Sequence, residues 1–229
     1  MQRRTLLAAG AIVGAASGFT GAARADVQPE TGISSGAPLP LPYQSIPGFL
    51  SAKQLAVHHR AHYGGALSAF LKIDAALDAV ARGAASEGPD GFGGMQRTRT
   101  SKANSVLLHE LYFAGMSPRS SQPGADVQTA LKHRFGSEDR WRADFLSCAA
   151  AASGWALLVS FQGRLYNLVS DEHAVGLLVG CEALLALDVY EHAFYVDYEN
   201  RKTDYCSAFM DHIDWIHLTG RLASVASNC

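Results

Sequence analysis

Cysteine is scarce in this 229-residue chain: four residues, Cys148, Cys181, Cys206 and Cys229, none of them in a C-x-x-C pair. That excludes a disulfide scaffold, a zinc knuckle and a redox dithiol. Excess basic charge is also missing, with 19 Lys+Arg against 21 Asp+Glu and no basic stripe, which excludes a nucleic-acid binder that works by counterion release. A membrane-spanning helix needs about 20 strongly apolar residues, and none are found in a row. The longest candidate, Leu6 to Ala23, is interrupted by Gly10, Gly14, Ser17, Gly18, Thr20 and Gly21. Internal repeats are lacking. With 48% apolar residues the chain is nevertheless no disordered polymer, and it has material for one large domain or two small ones.

What is there begins with an address. The first 25 residues carry Arg3, Arg4 and Arg24 but no acid, and an Ala/Gly-rich apolar run follows the arginine pair. They read as a signal peptide, with Ala23-Arg24-Ala25 placing cleavage before Asp26. The competing reading is an uncleaved anchor. The adjacent arginines, Thr5-Leu6-Leu7 and the glycine-diluted apolar region resemble a twin-arginine signal, so the expectation is export of a folded protein to the periplasm or beyond. Once cleaved, the chain is acidic and has no membrane segment.

Residues 26–50 contain Pro38, Pro40, Pro42 and Pro47 and read as an extended arm. Ser51 and Gln54 have capping-box spacing, and Leu55, His58, His62, Leu67, Phe70 and Leu71 then recur at helical spacing to about Val80. A Gly-rich loop is expected over 83–100. A second helix from about Ser101 carries Val106, His109, Phe113 and Met116 and stops at Pro118. Helices are expected over Asp126 to Phe135 and Glu138 to Ala151. Strands are expected over Trp155 to Phe161 and Arg164 to Val169 around a Gln162-Gly163 turn, and over Ala183 to Val189. One last helix is expected from about Asp204 to Ala226. The fold class is therefore α+β, an N-terminal helical hairpin followed by a C-terminal domain of helices around a small three-stranded antiparallel sheet. The divisions fall at 1–25 for the signal, 26–117 and 118–229.

Nine histidines are the unusual count. His58 and His62 lie four apart and share a helix face, whereas His59 points elsewhere. Such a pair alone suits one buried, hydrogen-bonded core histidine as well as a ligand pair. His109 on another helix, with Asp188 and His192 four apart at a strand end, raises the count to three nitrogens and one carboxylate. That donor set suits Mn, Fe or Zn.

At these residues the chain resembles the iron/manganese superoxide dismutase family. Asp188-Val189-Tyr190-Glu191-His192-Ala193-Phe194-Tyr195 matches the family's D-x-W-E-H-A-[FY]-Y signature at every place but the Trp. Asp197-Tyr198-Glu199-Asn200-Arg201-Lys202-Thr203-Asp204-Tyr205 is similar to its D-Y-x-N-R-x-x-D-Y stretch. Ser153-Gly154-Trp155-Ala156 resembles its turn into the sheet, and His58-His59-x-x-His62 its first-helix motif. The resemblance covers nearly all of the chain after the signal. It implies dismutation of superoxide to oxygen and hydrogen peroxide at one Fe or Mn ion per subunit, with His58, His109, Asp188 and His192 as ligands. It also implies a homodimer joined through Glu191, His192, His62 and Tyr195, with Trp155 walling the pocket. Arg201 reads as a charge that steers the anionic substrate, or as an ordinary surface arginine.

The chain departs from the family in the surroundings of the metal. The usual Tyr eight residues after the first ligand is Ala66, and Tyr63 lies at a different angle. Ser105 stands where iron-type members often have a Gln. His173, in the loop before the third strand, is the candidate to replace that Gln, its alternative being an exposed loop histidine. Tyr190 in place of Trp adds a hydroxyl. His62, His173 and Tyr190 are thus the candidates for work around the ion, and Tyr112 with a His-type partner leans the metal towards iron. The rival function is an exported metal-binding protein of the same fold with weak or no turnover.

Overall fold

The computed structural model describes residues 30–79, 91–119 and 121–227. The signal at 1–25, residues 83–90 of the expected Gly-rich loop and Cys229 lie outside the described residues.

The element order is α1 (Gly32–Ser35), α2 (Ala52–Val57), a π-helical turn (His58–Tyr63), α3 (Gly64–Ala79), α4 (Phe92–Ala114), α5 (Ala125–Phe135), α6 (Glu138–Ala151), β1 (Trp155–Phe161), β2 (Arg164–Ser170), β3 (Glu182–Asp188), a 3₁₀ turn (Glu191–Ala193), α7 (Tyr195–Tyr198), α8 (Lys202–Asp211) and α9 (Trp215–Ser227). The sheet order is β2-β1-β3, and both pairings are antiparallel. This is the α+β architecture expected from the sequence. The β1–β2 turn has Gln162 at φ 51° and Gly163 at φ 70°, the type I′ geometry whose twist matches antiparallel strands. Central β1 is buried from Trp155 to Ser160, so it reads as an apolar run instead of an alternating one.

Four local expectations are corrected. The arm is not extended throughout, because α1 forms one turn, capped by Thr31 and closed by left-handed Gly36. The second helix starts at Phe92, not near Ser101. Gly93 and Gly94 have low helix propensity but occupy its first turn, where backbone donors lack helical partners anyway. The Ser51 hydroxyl does accept from the Gln54 N–H, at 3.1 Å, yet Gln54 does not reach back to complete the box. Its buried amide instead donates to the His192 carbonyl at 2.6 Å and accepts from the Val196 N–H at 3.1 Å, tying α2 to the turn after β3.

The last helix is two, α8 and α9. Residues between them pair with the end of α4: Ser117 N donates to His212 O at 2.7 Å and Asp214 N to Gly115 O at 2.8 Å. Those bonds take backbone groups that a continuous helix would use internally. Asp214 then accepts from the His217 N–H at 2.9 Å in the first turn of α9.

α3 and α4 form the helical hairpin, joined at their outer side by Arg99 and Asp74 at 3.2 Å. One continuous core runs from this hairpin to the sheet and α6, α8 and α9. Trp141, Trp155, Tyr63, Tyr112 and Tyr205 are its largest fully buried members. Among the described residues no helix is long and apolar enough to cross a membrane.

Candidate metal centre

Four elements converge beneath this core. The π turn replaces i−4 with i−5 bonding, and Gly64 N accordingly donates to His59 O. The wider turn buries both His58 and Tyr63, five residues apart, while His59 turns away to the Leu39 carbonyl at 2.7 Å. α4 contributes His109, the end of β3 contributes Asp188, and the following 3₁₀ turn contributes His192.

The Asp188 carboxylate organises the cluster. Its Oδ1 accepts from the Tyr190 N–H at 3.0 Å, and its Oδ2 faces three imidazole Nε2 atoms, of His58 at 3.1 Å, His192 at 3.3 Å and His109 at 3.6 Å. The four donor atoms lie within 4.8 Å of one another. Behind them, Tyr205 donates to the Asp188 carbonyl at 2.7 Å and Tyr112 donates to Tyr205 at 3.0 Å.

The donor chemistry calls for a cation. His109 Nδ1 lies 2.6 Å from the Ser105 carbonyl, which can only accept, so Nδ1 holds the proton of the neutral ring. Its Nε2 therefore turns a lone pair towards a carboxylate oxygen. Buried Nε2 atoms of both His109 and His192 have no hydrogen-bond partner. The His109 lone pair aimed at a buried anion is repelled, and a metal ion between them converts that repulsion into coordination. The residues present thus fit a mononuclear ion with three nitrogens and one oxygen.

Burial lowers the pKa of His58, despite its hydrogen bond to Asp188, and lowers that of His109 to about 3. Burial alone would raise the Asp188 carboxyl, but the closely facing imidazoles of His192 and His58 outweigh it and hold the group well below the usual carboxylate range. One prediction concerns the metal-free protein. An unfolded histidine titrates near 6.5, so at pH 5 the unfolded state binds a proton that folded His109 refuses. Stability should therefore fall as pH drops from about 6.5 towards 3, read as a declining urea midpoint of chelator-stripped protein. A midpoint that is flat or rising through that window would contradict the neutral, buried imidazoles.

Around the four lie the other expected residues. The Trp155 ring meets His109 edge-on at 5.1 Å. The His192 ring, 21% exposed, lies nearly parallel to His62 at 3.7 Å and to Tyr190 at 5.2 Å, so the site opens towards solvent there. His173 is half-buried, 6.3 Å from His109 and 5.1 Å from Tyr190 between ring centres. Its Nδ1 accepts from the Trp155 indole at 2.9 Å, so Nε2 carries the proton of the neutral ring. Asn104 donates to its carbonyl at 2.9 Å. Glu172 and His173 are consecutive non-glycine residues at φ 53° and 61°, at roughly 1–2 kcal/mol each. Strain of this kind persists where surrounding contacts over-determine a useful position.

Three other positions do different work from that considered in the sequence. The Tyr63 hydroxyl donates to Glu110 at 2.8 Å and accepts from Leu39 N at 2.9 Å, while Glu110 also accepts from Gly32 N, so Tyr63 anchors the arm and does not replace the phenol missing at Ala66. Ser105 acts through its carbonyl on the His109 ring, its hydroxyl lying 3.4 Å from Nδ1. Arg201 is held by Asp204 at 3.4 Å and by the Asp197 carbonyl, over the Tyr198 ring, which occupies its charge at the surface. The cation whose charge acts on His173 is Lys102. Sequence reasoning missed Lys102 and Asn104, and read Gln54 only as a capping-box residue and not as a link to His192. Lys102 and Asn104, seven and five residues before His109, lie about one to two turns up the same helix, the spacing that signals them.

Comparison with known proteins adds an independent line. Residues 123–221 match the family of iron/manganese superoxide dismutases, C-terminal domain. The chain is 35% identical over 181 residues to the superoxide dismutase [Mn] 2 of Haloferax volcanii, covering 78% of this chain and 89% of that one. It is 36% identical over 180 residues to the superoxide dismutase [Fe] of Cupriavidus metallidurans, covering 76% and 89%. A superoxide dismutase [Fe] of Methanothermobacter thermautotrophicus is 30% identical over 202 residues, covering 82% and 93%. Motifs, architecture, the buried donor set and these relatives agree: the chain belongs to the iron/manganese superoxide dismutase family.

Proposed function

We infer that this protein is a superoxide dismutase that works at one iron or manganese ion held by His58, His109, Asp188 and His192. The observation that carries the reading is the pair of buried, unpartnered imidazole nitrogens turned towards a single buried carboxylate. Bound there, iron or manganese supplies the one-electron couple that superoxide dismutation needs, which zinc lacks. Relatives carry either metal in their names, and iron is the one we propose.

The chain's own residues supply what surrounds that chemistry. Asp188 offsets one unit of cationic charge in a site where it, His58 and His109 are buried. Lys102 sets a positive charge near His173, on the approach of a small anion. Two protons must reach the peroxide product. His173 Nε2–H, its tautomer set by Trp155, and the Tyr190 hydroxyl are the donors we assign, and His62 lines the opening against His192. A superoxide-consumption assay on metal-loaded protein tests this, with His109→Ala as the control. Rapid consumption lost in the variant is expected, and consumption no faster than buffer would favour the binding-protein alternative.

We propose a homodimer through Glu191, His192, His62 and Tyr195. Glu191 is exposed, and Tyr195 and Val196 beside it are 53% and 45% exposed, an acid with an apolar rim next to a ligand ring. An acid from a second copy would accept from the ligand imidazole and orient it. Glu191→Ala should weaken the dimer and metal retention together, by roughly 1–3 kcal/mol per site, measured by sedimentation and metal content on the same samples. A stable monomer of the unmodified protein that keeps its metal would sink the idea.

We also propose that residues 1–25 direct twin-arginine export to the periplasm or exterior, ahead of units 26–117 and 118–229. A site assembled from three distant segments exists only after folding, which suits a route for folded chains. Changing Arg3 and Arg4 to Lys should leave active protein in the cytoplasm. Undiminished activity outside it would count against the proposal.

A further inference from the structure

A cavity of about 570 Å³ lies between α5, the β1–β2 hairpin and α9. β1 runs from Trp155, at the metal centre, to Phe161, beside the hairpin turn, so the two sites are roughly 20 Å apart at the rise of a strand. Nothing in dismutation uses this second place.

Its chemistry centres on Arg134. The Nε–H donates to the Leu165 carbonyl at 2.8 Å, and the guanidinium lies over the Tyr166 ring at 4.9 Å and the Phe135 ring at 5.4 Å. Those contacts hold the plane of the fork. Among the described residues no carboxylate comes within 4.0 Å of it, so its two terminal NH₂ groups remain available. A held guanidinium without an acid is prepared to receive a carboxylate or phosphate on two nitrogens. Arg164 and His133 line the same space and strengthen its preference for an anion. Asp126 also lines it, but seven residues before His133 on α5, about 11 Å along the helix.

A second observation points the same way. Ser160, on the central strand, lines the cavity, and its hydroxyl, bonded to no other group among the described residues, is a donor that an anion there can use. Leu165, Tyr166 and Leu222 supply apolar wall. The volume is within the range of small-molecule sites.

We propose that this cavity binds a small organic anion, a carboxylate or phosphate on a compact apolar body, with Arg134 clasping the anionic group. The test is calorimetric titration of the metal-loaded protein with benzoate, phenyl phosphate, inorganic phosphate and benzyl alcohol. Benzoate or phenyl phosphate should bind saturably at one site per chain. Inorganic phosphate, lacking the apolar body, and benzyl alcohol, lacking the charge, should each bind at least about tenfold more weakly. Arg134→Gln should weaken binding by about tenfold or more, the size expected for losing charge-assisted bonds, with metal content and superoxide consumption unchanged. Should Arg134→Gln fail to fold, exposed Arg164→Gln is expected to weaken binding in the same direction. Lys132→Gln, a neighbouring charge that does not line the cavity, should leave it intact. Absence of saturable heat with either aromatic anion, equal losses in Lys132→Gln, or inorganic phosphate binding as well as phenyl phosphate would overturn the proposal.

Discussion

Replacing Asp188 by Asn is expected to strip the protein of its metal, with affinity falling by more than about 100-fold. Changing a residue that merely supports a ligand typically costs 10–100-fold, and Asp188 is itself a donor and the one anion of the set. Its Oδ2 is the common neighbour of all three imidazoles, at 3.1, 3.3 and 3.6 Å. Asn keeps the shape and can still accept from the Tyr190 N–H, so the variant should fold. The check is metal content after exhaustive dialysis, on samples whose near-ultraviolet circular dichroism matches the unmodified protein. Stoichiometric metal in folded Asp188→Asn would show that the carboxylate is not what holds the ion.

The largest expected loss of stability comes from a glycine outside the centre. Gly176 has φ +88°, and a Cβ built there would lie 2.3 Å from the Val169 carbonyl oxygen. Neither a rigid strand carbonyl nor that backbone conformation can give way cheaply. Gly176→Ala should therefore cost roughly 2–4 kcal/mol, combining backbone strain with a steric clash. It should also disturb His173, since the loop is closed by reciprocal 2.9 Å bonds between Asp171 and Val175 immediately before Gly176. Gly180→Ala is the matched control. Its φ is +78° with nothing within 4 Å of the added carbon, so it should cost only about 1 kcal/mol. Urea unfolding of both metal-loaded variants measures the difference, and equal midpoints would refute the steric argument.

The pattern of strands and middle helices was legible because their signals are local. Glu138–Ala151 and Trp155–Phe161 have the bounds expected from periodicity and punctuation. Where long-range bonds decide, local signals misled. The break at His212–Asp214 exists because residues 115–117, just past the end of α4, take its backbone groups. Gln54, correctly spaced for a capping box, spends its amide on His192 and Val196, more than a hundred residues away. Three glycines near Phe92 resembled a loop, although Gly91 is the N-cap and Gly93 and Gly94 sit in the first turn of α4, where glycine costs the helix little.

The four clustered donors were legible through motif resemblance, since no periodicity relates His58 or His109 to Asp188. Their supports were less so. That Trp155 determines which nitrogen of His173 carries a proton, or that Tyr63 serves the arm through Glu110, depends on contacts between residues 18 and 47 positions apart. Lys102 was passed over for Arg201 because the motif named the arginine, whereas position in space favours the lysine.

The central claim is that one redox-active ion sits among His58, His109, Asp188 and His192 and dismutes superoxide. Elemental analysis of active protein purified from its native compartment, with superoxide consumption measured on the same sample, tests it most directly. The expected result is close to one iron or manganese per chain, with activity proportional to that metal. Stoichiometric zinc in fully active protein, or activity unrelated to iron and manganese content, would contradict it.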